Sequence, residues 1–427
     1  MADFVNVIGG GLAGSEAAYF LANHDIKVKL YEKRPLVSSP AQNTSLFGEL
    51  VRSNSLKSQA LTNACGLLKE EIKHLDSLII EAAQTSKIES GDSLDVDRDV
   101  FANYITSKIK SHKNIEIINE DVSKLNLNEK TIVCTGPLTS ESLVEYISSL
   151  VGEKVFHFFD ASAPIIKKES IDSLKIFIKS RYDHGEGKYI NCPMNKEQYL
   201  SFYNELIDAK KAHIHSFDTN YFEGCLPIEV IASRGVDTLR FGPLKPVGLE
   251  NEGKSYYAVV QLRQDDLIGN FYNLLGFQTN LTYGEQKRVF SMIPGLENAK
   301  FVRYGTMHRN TFLYSPKMLD DFLRLKKFKN IYIGGQLNGV EGYVESAATG
   351  LLAAYYCFAD IKKIPIKKLS FYTILGALVN YITHTGVNNF QPMNANFGII
   401  YKASTTPKEE IISRSLTLID EFKKQFI

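Results

Sequence analysis

The N-terminal third of the chain alternates short apolar runs with segments of helical periodicity. Residues 4–8 and 27–31 are apolar runs typical of buried strands, and the apolar positions of 11–24 recur at helical spacing. This pattern predicts a strand–helix–strand unit, the building block of a parallel sheet. The same reasoning predicts, in chain order, helical segments over 66–84 and 97–111 and short buried strands over 115–118 and 131–134.

The alternating rhythm stops near residue 151 and returns near residue 300. Mixed, aromatic-rich segments fill the interval. A second strand–glycine–helix unit then begins at 331–336 and continues through Gly339 and Gly342 into a helix of small residues over 345–359. We therefore predict an α/β fold with a Rossmann-like domain formed by 1–150 and 301–427, and an inserted α+β substrate domain formed by 151–300. The polar stretch 36–64 is predicted to be a long loop, and loops of that length are usually functional or mobile.

A glycine-rich turn joins the first strand to the first helix. It has the form G-x-G-x-x-G, and an acidic residue, Glu32, ends the second apolar run about 20 residues further on. In such a unit the turn brings backbone and a helix N-terminus against a pyrophosphate, and the acid accepts hydrogen bonds from a ribose. The predicted cofactor-binding residues of this unit are Gly9, Gly10, Gly11, Leu12, Ala13, Gly14, Glu32 and Lys33.

Two later segments end in comparable turns. The strand 131–134 leads into Thr135 and Gly136, and the strand near 331 leads into a second glycine-rich turn and helix. The further predicted cofactor contacts are Thr135, Gly136, Gly335, Gln336, Gly342 and Tyr343. One dinucleotide unit at the N-terminus, completed near the C-terminus, favours FAD over NAD as the bound cofactor.

Composition restricts the class of protein. The 427 residues include 49 basic and 48 acidic side chains, so any nucleic-acid surface must be local. No run reaches the roughly 18 apolar residues of a spanning helix, so no membrane association is expected. The five scattered cysteines are typical of cytoplasmic thiols, and neither C-x-x-C nor H-E-x-x-H indicates a metal site.

Several polar residues are candidates for chemistry, and each has a structural alternative. Cys225, between Gly224 and Leu226-Pro227, is either a buried apolar side chain or a nucleophile activated by nearby cations such as Arg234 and Arg240. Within the polar loop, Arg52, Asn54 and Ser55 belong either to a solvated surface or to a lid over the cofactor and an anionic substrate. Arg263, His308 and Arg309 lie in polar clusters between apolar flanks and are either structural or substrate contacts.

The motifs together resemble one family over nearly the whole chain, in order: the folate- and FAD-dependent RNA uracil-5-methyltransferases. The matching stretches are 5–14, 53–56, 61–64, 67–71, 135–140, 179–183, 191–194, 222–227, 232–235, 241–243, 259–266, 307–311, 340–348 and 389–398. The resemblance implies a glutathione-reductase-like FAD domain and transfer of the one-carbon unit of 5,10-methylenetetrahydrofolate, by way of the flavin, to carbon 5 of a uridine. It also implies that Cys225 attacks carbon 6 and that NAD(P)H re-reduces the flavin. On the same basis His308 is expected to stack on the pterin, and Arg263 and Arg309 to contact folate or phosphate.

One residue departs from the family. Its tRNA-acting members usually carry a second cysteine just before the Ser-Asn-Ser run, where this chain has Arg52. The resemblance implies that this second thiol helps with proton removal or with handling of the cofactor, and it is absent here; Cys65 and Cys192 are candidate substitutes. The departure leaves the RNA open between tRNA and 23S rRNA, slightly favouring rRNA. Alternatives are a flavin oxidoreductase with a small substrate, an FAD protein of wobble-uridine modification, and an RNA-binding flavoprotein without chemistry.

Overall fold

The computed structural model describes residues 4–39, 41–153, 155–183, 189–212, 226–365, 367–384 and 390–426. The strands are β1 (Phe4–Ile8), β2 (Lys27–Glu32), β3 (Ser55–Ser58), β4 (Lys87–Ile88), β5 (Ser93–Val96), β6 (Ile115–Asn119), β7 (Thr131–Val133), β8 (Val155–Ala161), β9 (Ile165–Lys167), β10 (Phe177–Ile178), β11 (Ile190–Met194), β12 (Ala258–Gln264), β13 (Phe271–Leu274), β14 (Phe301–Arg303), β15 (Met307–Leu313) and β16 (Ile331–Ile333). The helices are α1 (Leu12–Asn23), α2 (Ala64–His74), α3 (Leu78–Thr85), α4 (Arg98–Ser111), α5 (Glu141–Val151), α6 (Lys196–Asp208), α7 (Ile228–Ser233), α8 (Thr238–Phe241), α9 (Tyr283–Phe290), α10 (Ser315–Met318), α11 (Tyr343–Lys362), α12 (Ile374–His384) and α13 (Lys408–Lys423).

A parallel sheet of five strands, in the order β16-β7-β1-β2-β6, forms the centre of the first unit. Its central strand, β1, is buried at four of its five positions, and all of its residues except Asn6 are apolar, as expected for a strand covered on both faces. The predicted strand–helix–strand unit and the strands at 115–118, 131–134 and 331 are confirmed. The α/β class is therefore confirmed, with all five strands ending at the same edge.

The helical segment predicted over 66–84 is two helices. Leu75 ends α2, Asp76 takes a positive φ of 60°, and Ser77 caps α3 by accepting a hydrogen bond from the backbone N–H of Ile80. The apolar residues keep helical spacing across this break, so periodicity alone could not reveal it. The predicted long loop also contains a strand, because β3 pairs with β5 in a small antiparallel sheet.

The middle of the chain builds a second, antiparallel sheet of six strands in the order β10-β11-β12-β13-β9-β14. Its apolar face has a separate core that includes Met194, Phe202, Leu262 and Phe277. Strands β8 and β15 pair with each other, with His308 opposite Asp160. In the chain, β8 comes just before the first strand of this sheet, β9, and β15 just after its last strand, β14. The domain limits at 150/151 and 300/301 remain a prediction. Strand β14, at 301–303, pairs with β9 of the second sheet.

Helix α11 packs against α1 at very short range. A Cβ atom added to Gly350 would lie 2.4 Å from the carbonyl oxygen of Ala13, so only glycine permits this approach. The first residues of both helices also line one cavity at the carboxyl edge of the parallel sheet. Among the described helices, none combines the length and apolarity needed to cross a lipid bilayer.

Two glutamates of this unit, Glu16 and Glu71, are buried and accept backbone N–H groups of other elements. Glu71 accepts the backbone N–H groups of Ile374 and Leu375 at 2.7 and 2.8 Å, and so ties α2 to the start of α12. Burial raises the pKa of Glu71 from 4.5 to about 7, despite the opposing hydrogen bonds from Ser415 and the two N–H groups. Between pH 4.5 and about 7, Glu71 therefore keeps its proton in the folded chain but has lost it in the unfolded chain.

This raised pKa predicts a pH dependence of stability. Its contribution is fully present below pH 4.5 and is lost as pH rises through about 7, because only the folded state keeps the proton in that window. We expect Glu71→Gln, which cannot ionise, to flatten this decline. Thermal unfolding of both proteins between about pH 5 and about pH 8 measures it; parallel curves would show that Glu71 does not couple folding to protonation.

Candidate active site

A cavity of about 440 Å³ lies where the carboxyl ends of the parallel strands meet the inserted sheet. That volume is within the range of cofactor pockets, and the carboxyl edge is where open α/β sheets bind ligands. Residues that follow each of the five parallel strands line one side: Gly9, Lys33, Asp121, Thr135 and Gly335 are examples. Residues of the inserted unit, including Ala163, Arg263 and Gln278, line the other side.

The glycine-rich turn forms one end of this cavity. Gly9 has a φ of +100°, and a Cβ atom on Gly14 would lie 1.8 Å from the carbonyl oxygen of Gly9. A Cβ atom on Gly11 would meet no atom within 4 Å, because this residue faces the open cavity. The turn thus packs closely between Gly9 and Gly14, while the backbone at Gly11 is accessible to a ligand.

Glu32 is buried beside this turn. One carboxylate oxygen accepts the backbone N–H of Gly10 at 2.8 Å, and the other accepts the backbone and side-chain N–H groups of Arg34 at 3.0 and 2.9 Å. Burial raises the pKa of Glu32, but the hydrogen bonds and charge of Arg34 outweigh it and hold the pKa below its usual value. Glu32 is therefore a carboxylate at neutral pH, as an acceptor for ribose hydroxyls must be.

Helix α11 contributes a second N-terminus to the same cavity. Its first residue, Tyr343, and the preceding Gly342 both line the wall, as do Gly335 and Gln336 after β16. No side chain caps α11 or α1, so the N–H groups of both first turns are left for a ligand. Two such termini favour an anionic, phosphate-bearing molecule.

Four side chains in the wall each have a buried polar atom without a hydrogen-bond partner among the described residues. They are Nε of Arg263, Oδ1 of Asn310, Oε2 of Glu345 and Oδ1 of Asn394. Within the described part of the chain, Nε of Arg263 has one long ion pair, 3.6 Å to Oδ2 of Asp95. Because buried polar groups are rarely left unpaired, these atoms indicate bound polar ligands. The glycine turn, the acid and these groups together fit a dinucleotide such as FAD.

The segment 50–52 is held rigidly against the cavity. Arg98 donates to the carbonyl oxygens of Leu50 and Arg52, and Arg303 donates to that of Val51 at 2.7 Å. Arg98 also forms a two-point ion pair with Asp265 of the inserted unit, at 3.0 and 3.2 Å. This part of the predicted loop is a fixed wall of the cavity.

Arg52 joins two buried carboxylates across the cavity wall. Its Nε lies 2.8 Å from Asp160 at the end of β8, and its Nη1 lies 2.7 Å from Glu341 just before α11. Burial raises the pKa of Glu341 to about 7, with Asp160 and Glu345 adding to the rise and Arg52 and Lys57 opposing it. The residue that replaces the family's thiol is therefore part of a charged cluster.

The structure brings most of the predicted site residues to this cavity. Those that line it are Gly9, Gly10, Gly11, Leu12, Ala13, Glu32, Lys33, Arg52, Ser55, Thr135, Gly136, Arg263, Gly335, Gln336, Gly342 and Tyr343. Gly14 lies beneath the turn, and buried Asn54 donates to the carbonyl oxygens of Val96 and Gln264, at 3.1 and 3.0 Å. Their roles in binding remain predictions.

Other predicted residues lie elsewhere or cannot be placed. Arg309 is exposed and lies 3.7 Å from Glu141. Arg240 stacks on Tyr257 and pairs with Asp237, and so belongs to the inserted unit's own packing. Cys225 and the side chain of His308 fall outside the described residues.

Sequence reasoning missed four charged residues that organise the site: Arg34, Arg98, Asp160 and Glu341. Arg98 and Asp160 lie within ordinary amphipathic or aromatic segments, so no sequence signal distinguished them. Glu341 had a signal, since a charged residue between Val340 and Gly342 in a glycine-rich turn is unusual. Arg34 lies two residues after Glu32, within reach of the same carboxylate.

Comparison with known proteins gives full-length relatives. The family model described as glucose inhibited division protein A matches residues 4–365. Proteins named methylenetetrahydrofolate–tRNA-(uracil-5-)-methyltransferase TrmFO are 51% identical in Ligilactobacillus salivarius, over 98% of both chains, and 51% in Acetivibrio thermocellus, over 100% of both. The one from Bacillus pumilus is 52% identical over 94% of this chain and 93% of its own.

A solved structure supports the fold. Aquifex aeolicus GidA superposes with a TM-score of 0.71 at 17% identity, covering 99% of this chain and 74% of that one. The relatives above are about 50% identical along the whole chain, so they define the family more closely than the shared fold does. The chain belongs to the glucose inhibited division protein A family and, within it, to the methylenetetrahydrofolate–tRNA-(uracil-5-)-methyltransferases.

Proposed function

We propose that this protein transfers the one-carbon unit of 5,10-methylenetetrahydrofolate to carbon 5 of a uridine in structured RNA, forming 5-methyluridine. The observation that carries the proposal is a cavity between the dinucleotide turn and the inserted unit, whose wall contains polar side-chain atoms without a hydrogen-bond partner among the described residues. The names of the full-length relatives agree with this reaction. A plain flavin oxidoreductase does not account for that length of similarity.

The FAD would be held by the residues around the glycine turn. The backbone at Gly11 and the N-terminus of α1 would take the pyrophosphate, and Glu32 the adenosine ribose. The N-terminus of α11 would face the ribityl chain or the isoalloxazine ring. When bound, the flavin supplies the carrier for the carbon unit and, after reduction by NAD(P)H, the electrons that complete the methyl group.

The uridine would enter from the side of the inserted unit. Carbon 5 of uracil is a poor nucleophile, and thiolate addition at carbon 6 makes it reactive. We assign that attack to Cys225. The chain that follows it is tied to the cavity, because Ile228 donates its backbone N–H to the carbonyl oxygen of Gln278, a wall residue, at 2.7 Å. The base would have to leave its stack to reach this position.

Folate would occupy the part of the cavity near Arg263. Arg263 lines the cavity, and its Nε has a long ion pair, 3.6 Å to Asp95, which supports a role in holding a polar or anionic ligand. For His308 we retain the proposed stacking on the pterin, and for Arg309 a contact to phosphate at the exposed rim.

The RNA is proposed to be tRNA, the substrate in the relatives' names. A second candidate is 23S rRNA, favoured by one observation: Arg52, in its ion-pair cluster, stands where the resemblance implies a second thiol. Mapping 5-methyluridine in tRNA and 23S rRNA from a strain lacking this gene would separate them. Both RNAs imply a cytoplasmic enzyme.

We expect Cys225→Ala to abolish a covalent complex with RNA that contains 5-fluorouridine. The fluorine cannot leave as a proton does, so the thiol adduct should accumulate with the unaltered enzyme. Denaturing electrophoresis of FAD- and folate-loaded protein measures this adduct. Cys192→Ala, which removes a buried thiol in the core of the inserted sheet, is the matched control and should retain the adduct. An undiminished adduct in Cys225→Ala would disprove the assignment.

A further inference from the structure

Glu341 lies on the cavity wall directly before the N-terminus of α11. It is 2% exposed and shares the wall with Arg52 and Gln336, both of which donate to its carboxylate: Arg52 from 2.7 Å to Oε1, and the Gln336 amide to Oε2. This is a carboxylate held in one orientation at the boundary of the ligand space.

The thiols among the described residues do not supply the missing group. Cys65, Cys192 and Cys357 are buried and do not line the cavity. Cys134 lines it, but burial raises the pKa of its thiol to about 12, so it carries almost no thiolate near neutral pH. Arg52, at the position of the family's second cysteine, contacts the carboxylates of Asp160 and Glu341.

Three other carboxylates of the wall, those of Glu32, Glu49 and Glu345, have different contacts. Glu32 is bound by the Gly10 backbone and by Arg34, and Glu49 pairs with Arg34 at 2.9 Å. Glu345 uses Oε1 to accept the backbone N–H of Ala395, and the same oxygen lies 3.6 Å from Lys57, while its Oε2 has no hydrogen-bond partner among the described residues. Only Glu341, among these four, is bound to the residue that replaces the thiol.

We propose that Glu341 accepts the proton released from carbon 5 of the target uridine, and that Arg52 is the positioning residue that orients it. The inference rests on the proposed function and extends it to a step for which this chain lacks the family's second thiol. The near-neutral pKa of Glu341 agrees with the role, because a proton acceptor works best when its pKa is close to the working pH.

The step balances without an added reagent. After Cys225 has bonded to carbon 6 and the carbon unit to carbon 5, carbon 5 still carries its hydrogen. The C5–H bond breaks, the proton bonds to a carboxylate oxygen of Glu341, and the electron pair remains on the ring as an enolate conjugated with the 4-carbonyl. Nothing is oxidised or reduced in this step.

The test compares two readouts on the same holoenzyme. Release of tritium from RNA labelled at carbon 5 of uridine requires proton removal, whereas the 5-fluorouridine adduct requires only the preceding bond formation. We expect Glu341→Gln to keep the adduct and to lose at least about 100-fold in tritium release, the usual contribution of a general base. Glu71→Gln, which removes a buried carboxyl with a similarly raised pKa outside the cavity, should retain both.

Each outcome decides the inference. Tritium release within about threefold of the unaltered enzyme overturns it, as does the loss of both readouts in Glu341→Gln, which would place Glu341 in binding or folding. If the unaltered enzyme itself forms no adduct, the proposed function fails instead.

The role of Arg52 has its own measurement. Glu341 faces Arg52 from the 50–52 segment, Lys57 from β3, Asp160 from β8 and Glu345 from α11. Arg52→Gln removes a cation that stabilises the carboxylate of Glu341, so the pKa of Glu341 should rise. The acid limb of the pH profile of tritium release should therefore move to higher pH. Arg52→Lys should leave that limb in place. An identical acid limb in Arg52→Gln and the unaltered enzyme would remove Arg52 from the proposal.

Discussion

Gly14→Ala is expected to prevent formation of a stable, FAD-loaded protein. The added methyl group would lie 1.8 Å from the carbonyl oxygen of Gly9 and 3.3 Å from Cβ of Cys134. Because both the turn and the first helix are buried backbone, neither can move without separating α1 from the parallel sheet. We expect a loss of about 4 kcal/mol or more in the free energy of unfolding. Chemical denaturation and the flavin content of purified protein measure it.

Gly11→Ala is the matched comparison in the same turn. The added methyl group would meet no atom within 4 Å, and the φ of −76° at Gly11 suits any residue. We expect the free energy of unfolding of the cofactor-free protein to change by no more than about 1 kcal/mol, while FAD affinity falls because the methyl group projects into the cavity. Equal flavin retention in Gly11→Ala and the unaltered protein would show that the pyrophosphate does not lie against this turn.

Arg98→Ala is expected to have the second large effect. It would leave Asp265 without its two-point partner and the carbonyl oxygens of Leu50 and Arg52 without their donor. Breaking a buried pair from one side typically costs 3–5 kcal/mol, so we expect a loss of about that size in the free energy of unfolding. Denaturant unfolding measures the loss, and limited proteolysis should show earlier cleavage near residues 50–52.

Arg288→Ala provides the contrast. Arg288 also binds two carboxylates, Glu205 and Glu285, but its side chain is 46% exposed. Exposed pairs contribute about 0–1 kcal/mol, so this variant should be nearly as stable as the unaltered protein. Similar losses in Arg98→Ala and Arg288→Ala would mean that burial of the Arg98 pair is not what stabilises the wall.

The ion pair between Arg98 and Asp265 joins the inserted unit to the cofactor unit. Arg98 begins α4 of the first unit, and Asp265 follows β12 of the second. The segment between them, 50–52, also carries Arg52, so the same contacts that join the units fix the residue that binds Glu341. The proposed proton acceptor thus depends on the relative placement of both units.

Local patterns predicted the first strand, the glycine turn, the first helix and Glu32 because their geometry is set by residues near one another in sequence. The break between α2 and α3 was missed for the opposite reason. A positive φ at Asp76 and a cap at Ser77 change the chain direction without interrupting the apolar spacing. The strand at Ser55–Ser58 was also missed, since its partner β5 lies more than 30 residues away.

The amino-acid sequence by itself determined the α/β class, the FAD turn and the family, because each depends on short motifs or on their order along the chain. The tertiary structure decided which charges meet. Asp160, Glu341 and Arg52 come from three distant segments, and no local pattern encodes their distances. Whether a buried carboxylate is paired, and therefore how readily it takes a proton, depends on neighbours that only folding brings within about 3 Å.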